Sequence, residues 1–234
     1  MNHEKLSERL ERVSIHIPKD SILADIGSDH AYLPCYAIEQ GLAARAIAGE
    51  VSEGPFQSAC SQVKQTELEQ VIEVRKGDGL DVLQEGEATC ITICGMGGAL
   101  ISQILERGKT KLSKVERLIL QPNIAANIVR NWLKENGWEL VGEDIVEEDG
   151  KIYEILIAEQ GEPLRPYGDQ IENGLLFGPF LLAEQSDVFK KKWNFEKSHW
   201  ERILRQMPEK GENQETEAKR EQLVQLIKQV KEIL

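Results

Sequence analysis

Short apolar runs alternate with longer stretches of helical periodicity over the first 160 residues, which predicts a chain of βα units. Residues 3–16 carry Leu6, Leu10, Val13 and Ile17 at helical spacing, and Lys5, Arg9, Arg12 and His16 form a second stripe beside them. Pro18 and Asp20 end that helix. Ile22, Leu23, Ala24 and Ile26 make the first buried strand, interrupted at its C-terminal end by Asp25 and Gly27. Helices over 32–41 and 53–66 then alternate with strands over 45–50 and 71–75. A fourth strand, 88–94, runs into Gly95-Met96-Gly97-Gly98 and a helix over 99–107. The fifth strand, 116–123, ends in Gln121-Pro122-Asn123, and the helix over 125–136 stops at Gly137. Strands around 138–147 and 151–158 are joined by Glu148-Asp149-Gly150, which is hairpin chemistry. Parallel βα repeats closed by such a hairpin predict a doubly wound α/β sheet of seven strands with a reversed edge strand.

The pattern changes at 161–168, where Gly161, Pro163, Pro166 and Gly168 mark a linker. Two domains are therefore expected, 1–160 and 161–234. In the second, Phe189, Trp193, Trp200, Ile203 and Met207 fall on heptad positions, with Glu196 interrupting the seam. Leu223, Leu226, Val230 and Ile233 do the same further on, and Pro208 to Asn213 supplies a reversal. An antiparallel coiled-coil hairpin follows. Lys190, Lys191, Lys192 and Lys197 are its basic cluster.

Charge sharpens the functional reading. The 234 residues carry a formal net charge of −12. Residues 1–160 hold 16 Lys+Arg against 27 Asp+Glu, and residues 161–234 hold 12 against 13. A generic polyanion binder is disfavoured, so nucleic-acid contact has to come from local basic patches. Neither a bilayer-length apolar run nor the basic-then-apolar order of a signal peptide is present, and Cys35, Cys60, Cys90 and Cys94 lack zinc-site spacing. Reduced thiols in a cytoplasmic protein without metal are expected.

In open α/β sheets ligands bind beyond the carboxyl ends of the strands. Asp25, Gly27 and Asp29 lie at that rim. A dinucleotide loop would place bare N–H groups of a glycine-rich turn against pyrophosphate, whereas this loop carries two carboxylates. Carboxylates repel phosphate and attract an ammonium and a sulfonium, the two cations of S-adenosylmethionine. The same Asp25 would equally suit a helix cap or a turn. Glu50 closes the second strand 25 residues beyond Asp25, the spacing of a ribose-binding acid in both NAD and S-adenosylmethionine sites. Asp78, between Gly77 and Gly79, can accept from an adenine amino group or simply make a turn. The glycines at 95–98 come without P-loop Lys or Ser, which argues against an NTPase.

Taken in order, Asp25-Ile-Gly-Ser-Asp-His-Ala-Tyr-Leu-Pro34, Gly49-Glu-Val51, Gly77-Asp-Gly-Leu80, Gly95-Met-Gly-Gly98 and Gln121-Pro-Asn123 resemble the bacterial TrmK family, tRNA adenine-N1 methyltransferases acting on adenine 22 of the D-arm. The likeness spans nearly the whole chain. It implies a class I Rossmann-like methyltransferase domain with a C-terminal helical appendage, S-adenosylmethionine as donor and tRNA as partner. By that resemblance Asp25, Gly27 and Asp29 hold the methionine part, Glu50 the ribose and Asp78 with Gly79 the adenine, and His30, Val51 and Leu80 belong to the same cofactor site. Gly95 and Met96 would floor the transfer site, with Asp29 and Asn123 positioning the reacting groups. Lys5, Arg9, Arg12, Tyr32, Lys190, Lys191 and Lys192 are the expected tRNA contacts, in a monomer. The Asn/Asp-Pro-Pro-aromatic motif of many amino-methylating enzymes is replaced by Gly-Met-Gly-Gly, so that tip offers no aromatic ring to the target base.

Two rival classes use the same residues. One is a small-molecule methyltransferase with the hairpin as a dimerisation arm, which the net charge favours. The other is a non-catalytic RNA-binding protein, against which Asp25, Glu50 and Asp78 speak together. An NAD oxidoreductase stands third, lacking the phosphate-cradling glycines.

Overall fold

The computed structural model describes residues 4–207 and 214–234. The expected reversal at 208–213 and the first residue of the expected N-terminal helix lie outside these. Strands β1 (Ser21–Ile26), β2 (Ala43–Glu50), β3 (Ile72–Lys76), β4 (Cys90–Gly97), β5 (Arg117–Ile124), β6 (Trp138–Glu148) and β7 (Lys151–Gln160) form one sheet in the order β3-β2-β1-β4-β5-β7-β6. The first five are parallel. The hairpin is present, and its reversed member, β7, slots antiparallel between β5 and β6, so β6 is the edge. Strand order reverses between β1 and β4, the switch point at which such sheets bind ligands.

Helices α1 (Glu8–Ser14), α2 (Tyr32–Glu39), α3 (Glu53–Gln65), α4 (Gly98–Arg107) and α5 (Ala126–Glu135) connect the strands. Two cores follow from sidedness. Ile91, Ile93, Leu118 and Leu120 pack with Ile101, Leu105, Val129 and Leu133 of α4 and α5. Leu23, Cys90 and Ile119 face the other way, toward Val13, Leu33 and Val63 of α1, α2 and α3. α1 starts later than its periodicity suggests, because the Ser7 hydroxyl caps it by accepting from the Leu10 N–H. Gly95-Met96-Gly97, expected to follow the strand, extends β4 with register shifts around Met96, and Gln121-Pro122-Asn123 closes β5 as its expected tip.

The chain divides into compact units at Gly178, not at the composition shift near 160: Met1–Gly178 and Pro179–Leu234. Arg130 is the physical reason. Its side chain is fully buried; Nε donates to Glu143 Oε1 at 2.6 Å, Nη2 pairs with Glu154, and Nη1 reaches the Leu175 and Leu176 carbonyls. These contacts tie helix α6 (Ile171–Phe177) to α5 and the β6–β7 hairpin, and Phe177 is wholly buried. Gly178, at φ +88°, leaves no room for a Cβ, which would fall 2.6 Å from Arg130 Nη2 and from a Glu143 oxygen.

The second unit holds α7 (Pro179–Glu184), α8 (Asp187–Gln206) and α9 (Gln214–Ile233). α8 and α9 pack together, with Lys231 Nζ 3.5 Å from Glu201. Leu223, Ile227 and Val230 are its buried face on α9, and Phe189 and Trp193 are buried on α8. Ile227 replaces Leu226 as the more buried position, since a packed helix face is wider than a strict heptad seam. No described helix is long and apolar enough to cross a membrane. Among the described residues no three His, Cys, Asp or Glu side chains gather as a metal-ligand set.

Removing Arg130 would take its guanidinium away from two buried carboxylates, a class of change that costs about 3–5 kcal/mol. Arg130→Met is therefore expected to lower unfolding free energy by about that amount in a denaturant titration.

Candidate active site

The site begins where β1 ends. Asp25 is 4 % exposed, and its two carboxylate oxygens each accept a hydroxyl at 2.6 Å, Oδ1 from Thr92 and Oδ2 from Ser28. Thr92 is its register partner on β4. Burial pushes the Asp25 carboxyl above the ordinary carboxylate range, and the two hydroxyls offset this only in part. Glu50 occupies the tip of β2, and its Oε1 accepts from the Asp29 N–H at 2.5 Å. Its carboxyl is likewise raised, by burial first and then by the charges of Asp25 and Asp29.

Between these anchors the backbone is left-handed almost throughout: Gly27 at φ +72°, Asp29 at +39°, His30 at +69° and Ala31 at +56°. Three consecutive non-glycine residues in that region cost strain that persists only when surroundings impose it. Here the Gly27 and Ser28 N–H groups both donate to the Gly49 carbonyl, and Glu50 holds the next amide. The Met96 side chain fills the space that a Gly27 Cβ would need. The Asp29 side chain stays 74 % exposed, and the His30 ring stacks on Tyr32 at 5.2 Å.

A cavity of about 320 Å³ opens beside this loop. Of the residues singled out from sequence it brings together Asp25, Gly27, Asp29, Gly95, Met96, Asn123 and Arg9. Gly95, at φ +76°, has open space where a side chain would go. Its N–H donates to Gln121 Oε1 at 3.0 Å and its carbonyl accepts from Asn123 Nδ2 at 2.7 Å. Cys94 also lines the cavity; burial drives its thiol strongly upward. Burial likewise pushes Cys35 up to about 11 and Cys90 up to about 12.

Glu50 joins this group through the Asp29 amide, while Val51, 60 % exposed, flanks it as an apolar tip. Asp78 is held in a two-pronged ion pair by Arg107, at 2.8 and 3.1 Å, and this guanidinium holds its carboxyl below the usual range. An adenine amino group would share Asp78 with that arginine. Gly79, at φ +58°, lies against Ile104. The Leu80 side chain is buried under Gly108 in the core, so what it can offer a ligand is its backbone.

Arg9 also departs from expectation. Its side chain is turned into the cavity, with Nη1 2.5 Å from Gln121 Oε1 and Cζ 5.3 Å above the Tyr153 ring, instead of lying on an outer phosphate stripe. It sits next to Leu10 on the flank of the buried face, where a polar cleft can recruit it. Arg12 pairs with Asp144 at 3.4 Å, and Lys5 precedes α1 on the surface. Burial lowers the pKa of His16 beside that pair. Lys190, Lys191 and Lys192 belong to the second unit, Lys192 Nζ lying 5.1 Å over Trp193. Sequence reading missed Ser28, Thr92 and Tyr153. A lone threonine in a buried apolar strand was the available signal for Thr92; a tyrosine on a hairpin gave none.

A donor set of buried acids around a glycine-relieved, left-handed loop suits a ligand with positive charge and no phosphate. Comparison with known proteins agrees. The family model described as tRNA (adenine(22)-N(1))-methyltransferase matches residues 23–232. The tRNA (adenine(22)-N(1))-methyltransferase of Bacillus subtilis is 49 % identical over 235 aligned positions, covering 100 % of this chain and 99 % of the relative. The crystal structure of the B. subtilis M1A22 tRNA methyltransferase TrmK superposes with a TM-score of 0.93 at 48 % identity, covering 98 % of each chain. Streptococcus pneumoniae Sp1610, a putative tRNA (m1A22) methyltransferase solved with S-adenosyl-L-methionine, gives 0.87 at 43 % identity, covering 98 % of this chain and all of that one. From its strand tips to its helical appendage, the chain thus belongs to the TrmK family of tRNA methyltransferases.

Proposed function

We propose that this chain methylates N1 of adenine 22 in the D-arm of tRNA, acting as a monomer in the cytoplasm. The observation that carries the reading is the acid-lined cavity at the β1 tip, where Asp25 and Glu50 brace a left-handed loop beside Gly95 and Asn123. Bound S-adenosylmethionine supplies an electrophilic methyl group on a sulfonium.

Asp25 and Asp29 face the methionine end, Glu50 the ribose hydroxyls, and Asp78 with the backbone of Gly79 the adenine ring. Met96 forms the floor under the loop. N1 of neutral adenine carries an in-plane lone pair, so no base need remove a proton before attack. Positive charge passes to the methylated ring, and the exposed Asp29 carboxylate stands ready to stabilise it. What remains for the protein is alignment, worth about 7–11 kcal/mol when two reactants are held in line. Tyr32 lies at this rim through its stack on His30. Arg12, Lys5 and the lysines of α8 supply phosphate contacts that offset the few kcal/mol of unstacking the target base.

The direct test is incubation with labelled S-adenosylmethionine and unmodified tRNA, followed by digestion to nucleosides. Label in 1-methyladenosine, lost when adenine 22 is replaced, is the expected result; label in another nucleoside, or none, would overturn the reading. Glu50→Gln removes one charge and one strong acceptor, so donor affinity should weaken by about tenfold or more in calorimetry while tRNA affinity holds.

The raised carboxyls of Asp25 and Glu50 give opposite pH trends for the free and liganded protein. Both groups bind protons more tightly folded than unfolded. Stability of the free protein should therefore fall as pH climbs from the ordinary carboxylate range through their elevated values, where buried charge must form. Donor affinity should rise over that same interval, because the ionised acids attract the sulfonium. Thermal melts with and without donor across this interval check both signs.

A further inference from the structure

We propose that Arg9 is a positioning residue that, with the backbone of Gly95, fixes the polarity of the Asn123 amide through Gln121. Asn123 then reads the 6-amino group and N7 of the target adenine, leaving N1 free for the methyl group. This deepens the function proposed above and rests on it.

A side-chain amide has one accepting and one donating end, and which end faces a ligand decides what it recognises. Here the polarity is dictated from both directions. Arginine can only donate, and Arg9 Nη1 lies 2.5 Å from one terminal atom of Gln121. The Gly95 N–H donates to that same atom at 3.0 Å, so it is the oxygen, Oε1. Gln121 is wholly buried and has no water to turn toward. Its remaining end, Nε2, donates to Asn123 Oδ1 at 3.3 Å. From the other side, the Gly95 carbonyl can only accept, and it lies 2.7 Å from Asn123 Nδ2. The N–H and carbonyl of Gly95, with Arg9 as a second donor to Gln121, thus leave Asn123 a single orientation. Arg9 is itself held, its guanidinium over Tyr153 and its Nε 4.0 Å from Glu148 Oε2.

After these bonds Asn123 keeps one lone pair on Oδ1 and one hydrogen on Nδ2, at an exposed position lining the cavity. An acceptor beside a donor complements the adenine 6-amino group beside N7, the bidentate pairing by which asparagine reads adenine. Pairing instead with N1 would occupy the lone pair that must attack. Guanine presents two acceptors, O6 and N7, and Oδ1 would repel the first.

The test compares single-turnover rates, at saturating donor, on tRNA transcripts carrying adenine, 7-deazaadenine or purine at the target position. The wild-type protein should slow by about tenfold or more on each analogue. Asn123→Ala should be slow on adenine and should keep only the discrimination that the differing N1 basicity of the three bases brings by itself. Arg9→Met should lose part of the discrimination at saturating donor although Asn123 is intact, because Gln121 Oε1 keeps only the Gly95 N–H as its donor. Arg9→Lys, which keeps a donor for Gln121, should recover part of it. A purely structural role for Arg9 would slow all three substrates in proportion, and that outcome, or unchanged discrimination in Asn123→Ala, overturns the relay alone. A wild-type protein that leaves adenine itself unmethylated overturns the proposed function and the relay with it.

Discussion

Like charges crowd one corner of the sheet, and the site depends on how that crowding is held. Asp25 and Glu50 are both desolvated, and Asp29 adds its charge to each. Water cannot relieve them, so the neighbourhood does: two hydroxyls on Asp25, one amide on Glu50. The amide is available only because the loop runs left-handed at Asp29, His30 and Ala31. Backbone strain and electrostatic tension are thus two faces of one arrangement, and a cationic ligand relieves the second without altering the first. Such a pocket is organised for its ligand before the ligand arrives.

Much of this was legible in the residues. The apolar runs of β1, β2, β4 and β5 announced a parallel sheet, and acids or glycines at their C-terminal ends marked the rim. Periodicity could not say which way a boundary residue turns. Arg9 lies between the buried and the solvated faces of α1, and only the third dimension shows that Gln121 and Tyr153 await it. Leu80 followed a motif glycine yet belongs to the core, because Gly108 leaves a space that its side chain fills. The boundary near 160 was misplaced for a related reason. Proline and glycine mark where helices and strands stop, whereas the extent of a compact unit is set by packing, here by an arginine inside α5.

The net charge of −12 remains compatible with a polyanionic substrate once its distribution is considered. Acids concentrate in the first 160 residues, several of them committed to the cavity or to Arg130, while the remainder of the chain is nearly neutral. Binding nucleic acid then rests on few cations, and specificity falls more heavily on shape and on the base itself.

Arg130 carries one more implication. Because α5, the hairpin and α6 share a single buried guanidinium, none of them can open without disturbing the others. They should exchange their amide hydrogens as one cooperative block, although they are scattered over some fifty residues of sequence. Tyr153 and Glu148 ride on that block, so the wall against which Arg9 rests is only as steady as an ion cluster on another part of the same hairpin.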